Sequence, residues 1–235
     1  MSNRNRRCGP LWWPAAMGLA LAATLAGCGR ATPPAAAPAT PHGVLPAVQQ
    51  PASPPVTAAA APLPRESVYL VTSAWRDQGD RPVVLAELRG RIVVVSLVFT
   101  HCKYACPRIV ADMQKIERQL SAAEKADVRF LLVSMDPERD TPKRLTTFAA
   151  EHKLDLERWT LLTGPPGDVR VLNAVLGGRY KKAPSGDFAH SNLVLVLDRD
   201  GRIVHRQEGL EIAPTEALAS IRKIGAAAAA ARAQP

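Results

Sequence analysis

Acidic residues are missing from the first 64 positions of this 235-residue chain, and aromatic residues make up only 5% of the whole. Cysteine is scarce: Cys8, Cys28, Cys102 and Cys106 are the four. A structural zinc site needs four ligands, and two thiols in the body of the chain fall short of that. The formal charge is +9, but no basic stripe and no nucleic-acid-binding module is visible, so nucleic acid is not an expected partner. A basic excess still suits docking to an acidic protein or a membrane surface. No internal repeat is present.

What is there divides by composition. Arg4, Arg6 and Arg7 form a basic start, Leu11 to Gly27 is uncharged and mostly apolar, and Leu25-Ala26-Gly27-Cys28 closes the run with small residues before a cysteine. Residues 1–28 therefore read as an export signal. The run is short for a bilayer span and carries Pro14 near its start. Its end resembles the lipobox of bacterial lipoproteins, which implies that Cys28 is lipid-modified and becomes the new N-terminus. Residues 29–64 hold ten of the 21 prolines with Ala, Thr and Gln and almost no charge. They read as a disordered, polyproline-biased tether with a reach on the order of 100 Å.

Residues 65–225 have the size and patterning of one domain. Ser67–Trp75 and Arg81–Leu85 read as a first strand pair turned at Asp77-Gln78-Gly79. The Val-rich run Ile92–Phe99 lacks alternation, as a strand covered on both faces does. A helix is expected from Pro107 to Leu120, and Val128–Met135 is the next buried strand. Thr141 and Pro142 suit the cap and first turn of a helix running to about His152. Trp159–Leu162 reads as a strand, Asp168 as the cap of a helix through Leu176, and Arg179–Ala189 as a loop. Asn192–Leu197 and Ile203–Gln207 form a hairpin, and Thr215 caps a helix to about Ile224. The Ala-rich end, residues 226–235, is expected to fray. A parallel crossover followed by an antiparallel pair predicts an α/β fold, a mixed sheet with helices on both faces and an N-terminal β-hairpin.

The chemistry gathers at Phe99-Thr100-His101-Cys102-Lys103-Tyr104-Ala105-Cys106-Pro107. Proline at the first helical position would put Cys106 at or beside the N-cap, where the helix dipole and free N–H groups favour a thiolate. With Cys8 removed and Cys28 lipidated, Cys102 and Cys106 stand alone in an oxidising compartment. A permanent disulfide across so short a loop gains little. Two soft thiolates and an imidazole make a better copper(I) site. Among the histidines, His101 should point away from Cys102, His152 ends a surface helix, His205 lies in an outer strand and His42 in the tether. His190 stands before a strand where it could face Cys106, although a histidine so placed is more often structural.

Four stretches together resemble the Sco/SenC family of thioredoxin-like copper proteins over about residues 67–224. They are the Thr-His-Cys-x-x-x-Cys-Pro run ending at Pro107, Val133–Pro142, Trp159–Gly164, and His190-Ser191 followed by a strand and the Asp198–Gly201 turn. The resemblance implies a thioredoxin-like fold and copper ligands at Cys102, Cys106 and His190. It implies a metallochaperone rather than a turnover enzyme, delivering copper to the binuclear copper centre of cytochrome c oxidase. The expected partners are the copper-acceptor subunit of that oxidase, a membrane reached through the lipid anchor, and a thiol–disulfide reductase, on the periplasmic side of a bacterial membrane. Two other readings stand beside it. One is a thiol–disulfide oxidoreductase using Cys102 and Cys106, although three residues rather than two separate the pair. The other is a copper or redox sensor. Many members carry Asp before the ligand histidine; Ala189 stands there in this chain, with Asp187 nearby, and Asp136 and Arg139 are candidate supports from a neighbouring turn.

Overall fold

The computed structural model describes residues 61–182 and 188–233. The expected export signal with Cys8 and Cys28, the tether as far as residue 60, Asp187 and the last two residues lie outside them.

In chain order the elements are β1 (Trp75–Asp77), β2 (Pro82–Val83), β3 (Ile92–Val98), α1 (Ala105–Arg118), α2 (Ala122–Asp127), β4 (Val128–Ser134) and α3 (Pro142–Glu151). They continue with β5 (Trp159–Thr163), α4 (Pro166–Val175), β6 (Tyr180–Lys182), β7 (Phe188–His190), β8 (Leu193–Leu197), β9 (Ile203–Glu208) and α5 (Thr215–Ala233). Seven strands form one sheet in the order β2-β1-β5-β4-β3-β8-β9, and β6 and β7 form a separate two-stranded ribbon. β3 lies parallel to β4 and antiparallel to β8, and β4 is parallel to β5, so the sheet is mixed as expected. Every residue of β3 is buried. A strand buried on alternate sides needs cover on both faces, which is why its sequence shows no alternation. The carboxyl end of this central strand is where an α/β sheet opens toward ligands, and the two-cysteine loop follows directly.

The structure departs from the sequence reading at several elements. The first predicted strand is instead a 3-10 turn at Val68–Leu70, an extended stretch and the short β1. Ser67 Oγ accepts the Tyr69 N–H at 3.1 Å and donates to the Asp200 carbonyl, while Val68 N–H donates to the Gly201 carbonyl. These bonds fasten the segment to the β8–β9 turn in place of a ladder. Its partner is reduced to β2 and a 3-10 turn over Leu85–Leu88. The cap of α4 is Pro165, with Pro166 in the first turn; Asp168 lies inside the helix. α2 was missed in the sequence reading, although it opens on a capping box, Ser121-Ala122-Ala123-Glu124: Ser121 Oγ accepts the Glu124 N–H at 3.2 Å and Glu124 Oε2 accepts the Ser121 N–H at 2.7 Å. The Ala-rich end does not fray at residue 225. Alanine has the best intrinsic helix propensity, and α5 continues on it to Ala233. No helix among the described residues is long and apolar enough to cross a bilayer.

Candidate metal centre

The loop between β3 and α1 brings the two cysteines together. α1 begins at Ala105, two residues before the expected start, and Pro107 is its third residue. The N-cap, Tyr104, makes no side-chain cap bond. The sulfur of Cys102 fills that role, accepting the Cys106 N–H at 3.3 Å. Both cysteines are free thiols. Cys106 is fully buried, and its Sγ accepts the Phe99 N–H at 3.4 Å.

The helix mouth therefore favours the other sulfur than the sequence suggested. The Cys102 thiol is lowered to about 5, first by the hydrogen bond from the Cys106 side chain and then by the N–H groups of Cys106, Tyr104 and Ala105, against the cost of partial burial. The Cys106 thiol is pushed far up, because it donates to Cys102 and because it is buried. One sulfur is a ready thiolate and the other holds the shared proton. The rate at which iodoacetamide alkylates Cys102 is expected to stay level as pH falls from 9.0 and to drop only as pH passes through about 5. The sign follows from a folded value below that of a free thiol. A rate already falling across the free-thiol range would contradict this assignment.

Beneath the loop lies a fully buried carboxylate, Asp140. Its Oδ2 accepts the Thr100 N–H at 3.1 Å and the Ser134 hydroxyl at 2.6 Å, and its Oδ1 accepts the Thr100 hydroxyl at 2.6 Å. Arg144 Nε donates to Thr100 Oγ1 at 3.0 Å and is itself paired with Glu151. Thr100, two residues before Cys102, is thus tied to the end of β4 and to the start of α3. Asp140 was not singled out in the sequence reading. The separation of 40 residues from Thr100 leaves no local signal for the pairing.

His190 is not in a loop before β8. It ends β7, paired with Tyr180 across the ribbon, and the base of the ribbon is closed by Ser191 N–H donating to the Arg179 carbonyl at 2.9 Å. Strands of three residues are too short for periodicity to register. His190 Nδ1 lies 3.0 Å from the Ser191 carbonyl. A carbonyl only accepts, so Nδ1 carries the proton and Nε2 keeps the lone pair a metal needs. The imidazole stands edge-on to Phe99, ring centroids 5.9 Å apart. Phe99 thus touches both halves of the predicted site, by its N–H to Cys106 and by its ring to His190. The three predicted ligands are not assembled into a finished triad. Among the described residues, no three His, Cys, Asp or Glu side chains are placed to hold a metal ion.

The other histidines among the described residues are His101, His152 and His205. His101 Nδ1 lies 3.4 Å from Thr100 Oγ1 and 3.9 Å from Asp140 Oδ1. His152 packs on Phe148 at 4.3 Å, and burial lowers its pKa. His205 is on β9. Asp136 is buried and ion-paired with Arg139 in the β4–α3 turn.

With this geometry in view, the likenesses to known proteins are informative. The SCO1/SenC family pattern matches residues 74–226. The SCO1 protein homolog of Bacillus subtilis (strain 168) is 30% identical over 149 residues, 62% of this chain and 77% of that protein. A putative copper-binding protein of Stutzerimonas stutzeri is 29% identical over 131 residues, covering 54% of this chain and 63% of its own. Among solved structures, a SCO1/SenC family lipoprotein from Bacillus anthracis str. Ames superposes with a TM-score of 0.59 at 28% identity, over 66% of this chain and 91% of that one. Bradyrhizobium japonicum ScoI with copper bound gives 0.56 at 26% identity, over 65% and 96%. The mixed sheet, the two-cysteine loop at its open end and the span of the match agree: the chain belongs to the SCO1/SenC family.

Proposed function

We propose that the protein is a membrane-tethered copper chaperone. Cys102, Cys106 and His190 take up one copper ion and pass it to the binuclear copper centre of cytochrome c oxidase. The observation that carries the reading is the pair of thiols at the mouth of α1, one held as a thiolate by its neighbour and by backbone N–H groups. Thiolate sulfur is the donor that soft copper(I) selects, and an imidazole with Nε2 free completes a three-coordinate shell. Copper here is cargo. A three-coordinate shell leaves room for an incoming thiolate from the acceptor, so the ion can pass without ever being free. The copper-bound relative and the copper-binding relative support the choice of metal. The leader closed by Cys28, and a relative that is itself a lipoprotein, support a lipid anchor on the periplasmic side.

Anaerobic titration with copper(I) against a chromophoric chelator tests the reading. One equivalent per chain is expected, and His190→Ala should weaken binding by roughly 100-fold, since even outer-sphere partners of a metal site cost 10–100-fold. Absence of uptake, or an unchanged affinity in His190→Ala, would sink it.

A second reading has one observation in its favour. A low-pKa thiol paired with a buried, high-pKa thiol is the division of labour of a thiol–disulfide oxidoreductase, with Cys102 attacking and Cys106 resolving. A structure showing a disulfide switch in BsSco, a Sco protein at 28% identity, gives it weight. The two roles are compatible, because an acceptor whose cysteines have been reduced can then take the metal.

A further inference from the structure

Beside the metal centre lies a cleft of about 720 Å³, lined from the β4–α3 turn by Met135, Asp136, Pro137 and Glu138, from α4 and the residues after it by Arg170 and Arg179, and from β7 by Phe188. This volume falls within the roughly 300–1,000 Å³ of ligand-binding pockets. We propose that the cleft seats an extended, acidic stretch of the polypeptide that receives the copper. The proposal rests on the transfer reading, since that reading supplies the partner that must dock.

Four observations converge. Asp136 is 1% exposed, yet its Oδ1 is buried without a hydrogen-bond partner, its Oδ2 being held by Arg139. Native buried polar atoms are almost always satisfied, so a carboxylate oxygen left bare beside a cleft calls for an N–H donor from outside. Arg170 and Arg179 are exposed and have no carboxylate partner among the described residues, and they call for acceptors or negative charge. Glu138, the other acid on the cleft, is engaged by an interaction of its own. Met135 and Phe188 offer an apolar floor. An N–H donor, carbonyl or carboxylate acceptors and an apolar side chain in succession are what an extended peptide presents, and acidic residues in it would complement the two guanidinium groups. Finally, the Phe188 ring packs on Phe99 at 5.1 Å, and Phe99 touches both His190 and Cys106. Phe188 and Phe99 are therefore the two residues that link the cleft to Cys106 and His190.

The cleft and the metal can be tested apart. A photo-crosslinking side chain placed at Arg170 of the full chain, in its native membranes, is expected to capture an acidic segment of a second polypeptide, located by mass spectrometry. Crosslinks confined to this chain, or none at all, overturn the proposal. A soluble copper-free fragment of the captured partner then serves as acceptor. The double variant Arg170→Glu, Arg179→Glu should load copper(I) as the parent does and transfer it roughly tenfold more slowly, with added salt slowing the parent toward the variant. Equal transfer rates overturn the docking role. If the parent takes up no copper, the transfer reading fails, while the crosslinking result still decides what the cleft holds.

Discussion

Replacing Cys106 with alanine is expected to abolish copper(I) binding and, in the same protein, to return Cys102 to the titration of an ordinary thiol. The first effect follows from the donor set. A single thiolate and a remote imidazole cannot replace two sulfurs for a soft ion, and the loss should exceed the roughly 100-fold that removal of an outer-sphere partner costs. The second follows from the order of causes. The hydrogen bond from the Cys106 side chain is the largest influence holding the Cys102 thiol low, ahead of the backbone N–H groups. Without it, the pH at which alkylation of Cys102 declines should move well above 5 toward the free-thiol range. Folding should survive. The vacated space is that of one small side chain, and the bond lost to Phe99 N–H is a weak one to sulfur. A Cys106→Ala protein that still binds copper(I) as tightly as the parent contradicts the two-thiol centre. One that loses copper while Cys102 still titrates near 5 would assign the thiolate to the helix N–H groups alone.

Asp140→Ala is expected to destabilise the fold by about 3–5 kcal/mol, because three donors in the interior lose their acceptor at once and each orphaned buried group costs about 1–3 kcal/mol. The donors are the Thr100 N–H, the Thr100 hydroxyl and the Ser134 hydroxyl, and both residues are buried. Against a typical total of 5–15 kcal/mol, such a loss is a large fraction of the stability. At a urea slope of about 2 kcal/mol/M, the unfolding midpoint should fall by roughly 2 M. Asp140→Asn keeps the volume and one acceptor oxygen, so a smaller loss of about 1–2 kcal/mol is expected. A midpoint for Asp140→Ala within 0.5 M of the parent, roughly 1 kcal/mol at that slope, would show that the network does not hold the loop.

The elements legible in the sequence were those whose signal is local or periodic. β3 and β4 announced themselves by apolar runs without alternation, and α3 by Thr141 and Pro142 at its start, where Thr141 Oγ1 does accept the Arg144 N–H. The two thiols were legible because only three residues separate them. What escaped notice depended on distant partners. Ser67 could not be recognised as a cap without the β8–β9 turn it fastens to, and Asp140 shows its part only once Thr100 is folded against it. The ribbon holding His190 has strands of three residues, below the length at which any pattern shows. The start of α1 was misplaced because proline was read as the first helical residue. A sulfur standing in for the usual hydroxyl or carboxylate cap let the helix begin earlier, and this exchanged the roles expected of the two cysteines.

The separateness of the β6–β7 ribbon from the seven-stranded sheet bears on how copper would be let go under the proposed transfer reading. Cys106 is anchored in the core and Cys102 sits half-buried at the mouth of α1, whereas His190 rides on a ribbon that is no part of the main sheet. Withdrawing that one ligand breaks no rung of the central ladder. Under the proposed transfer reading, grip and release would fall to different parts of the chain: the thiols at the mouth of α1 would keep hold of the copper, and the ribbon would govern when it departs.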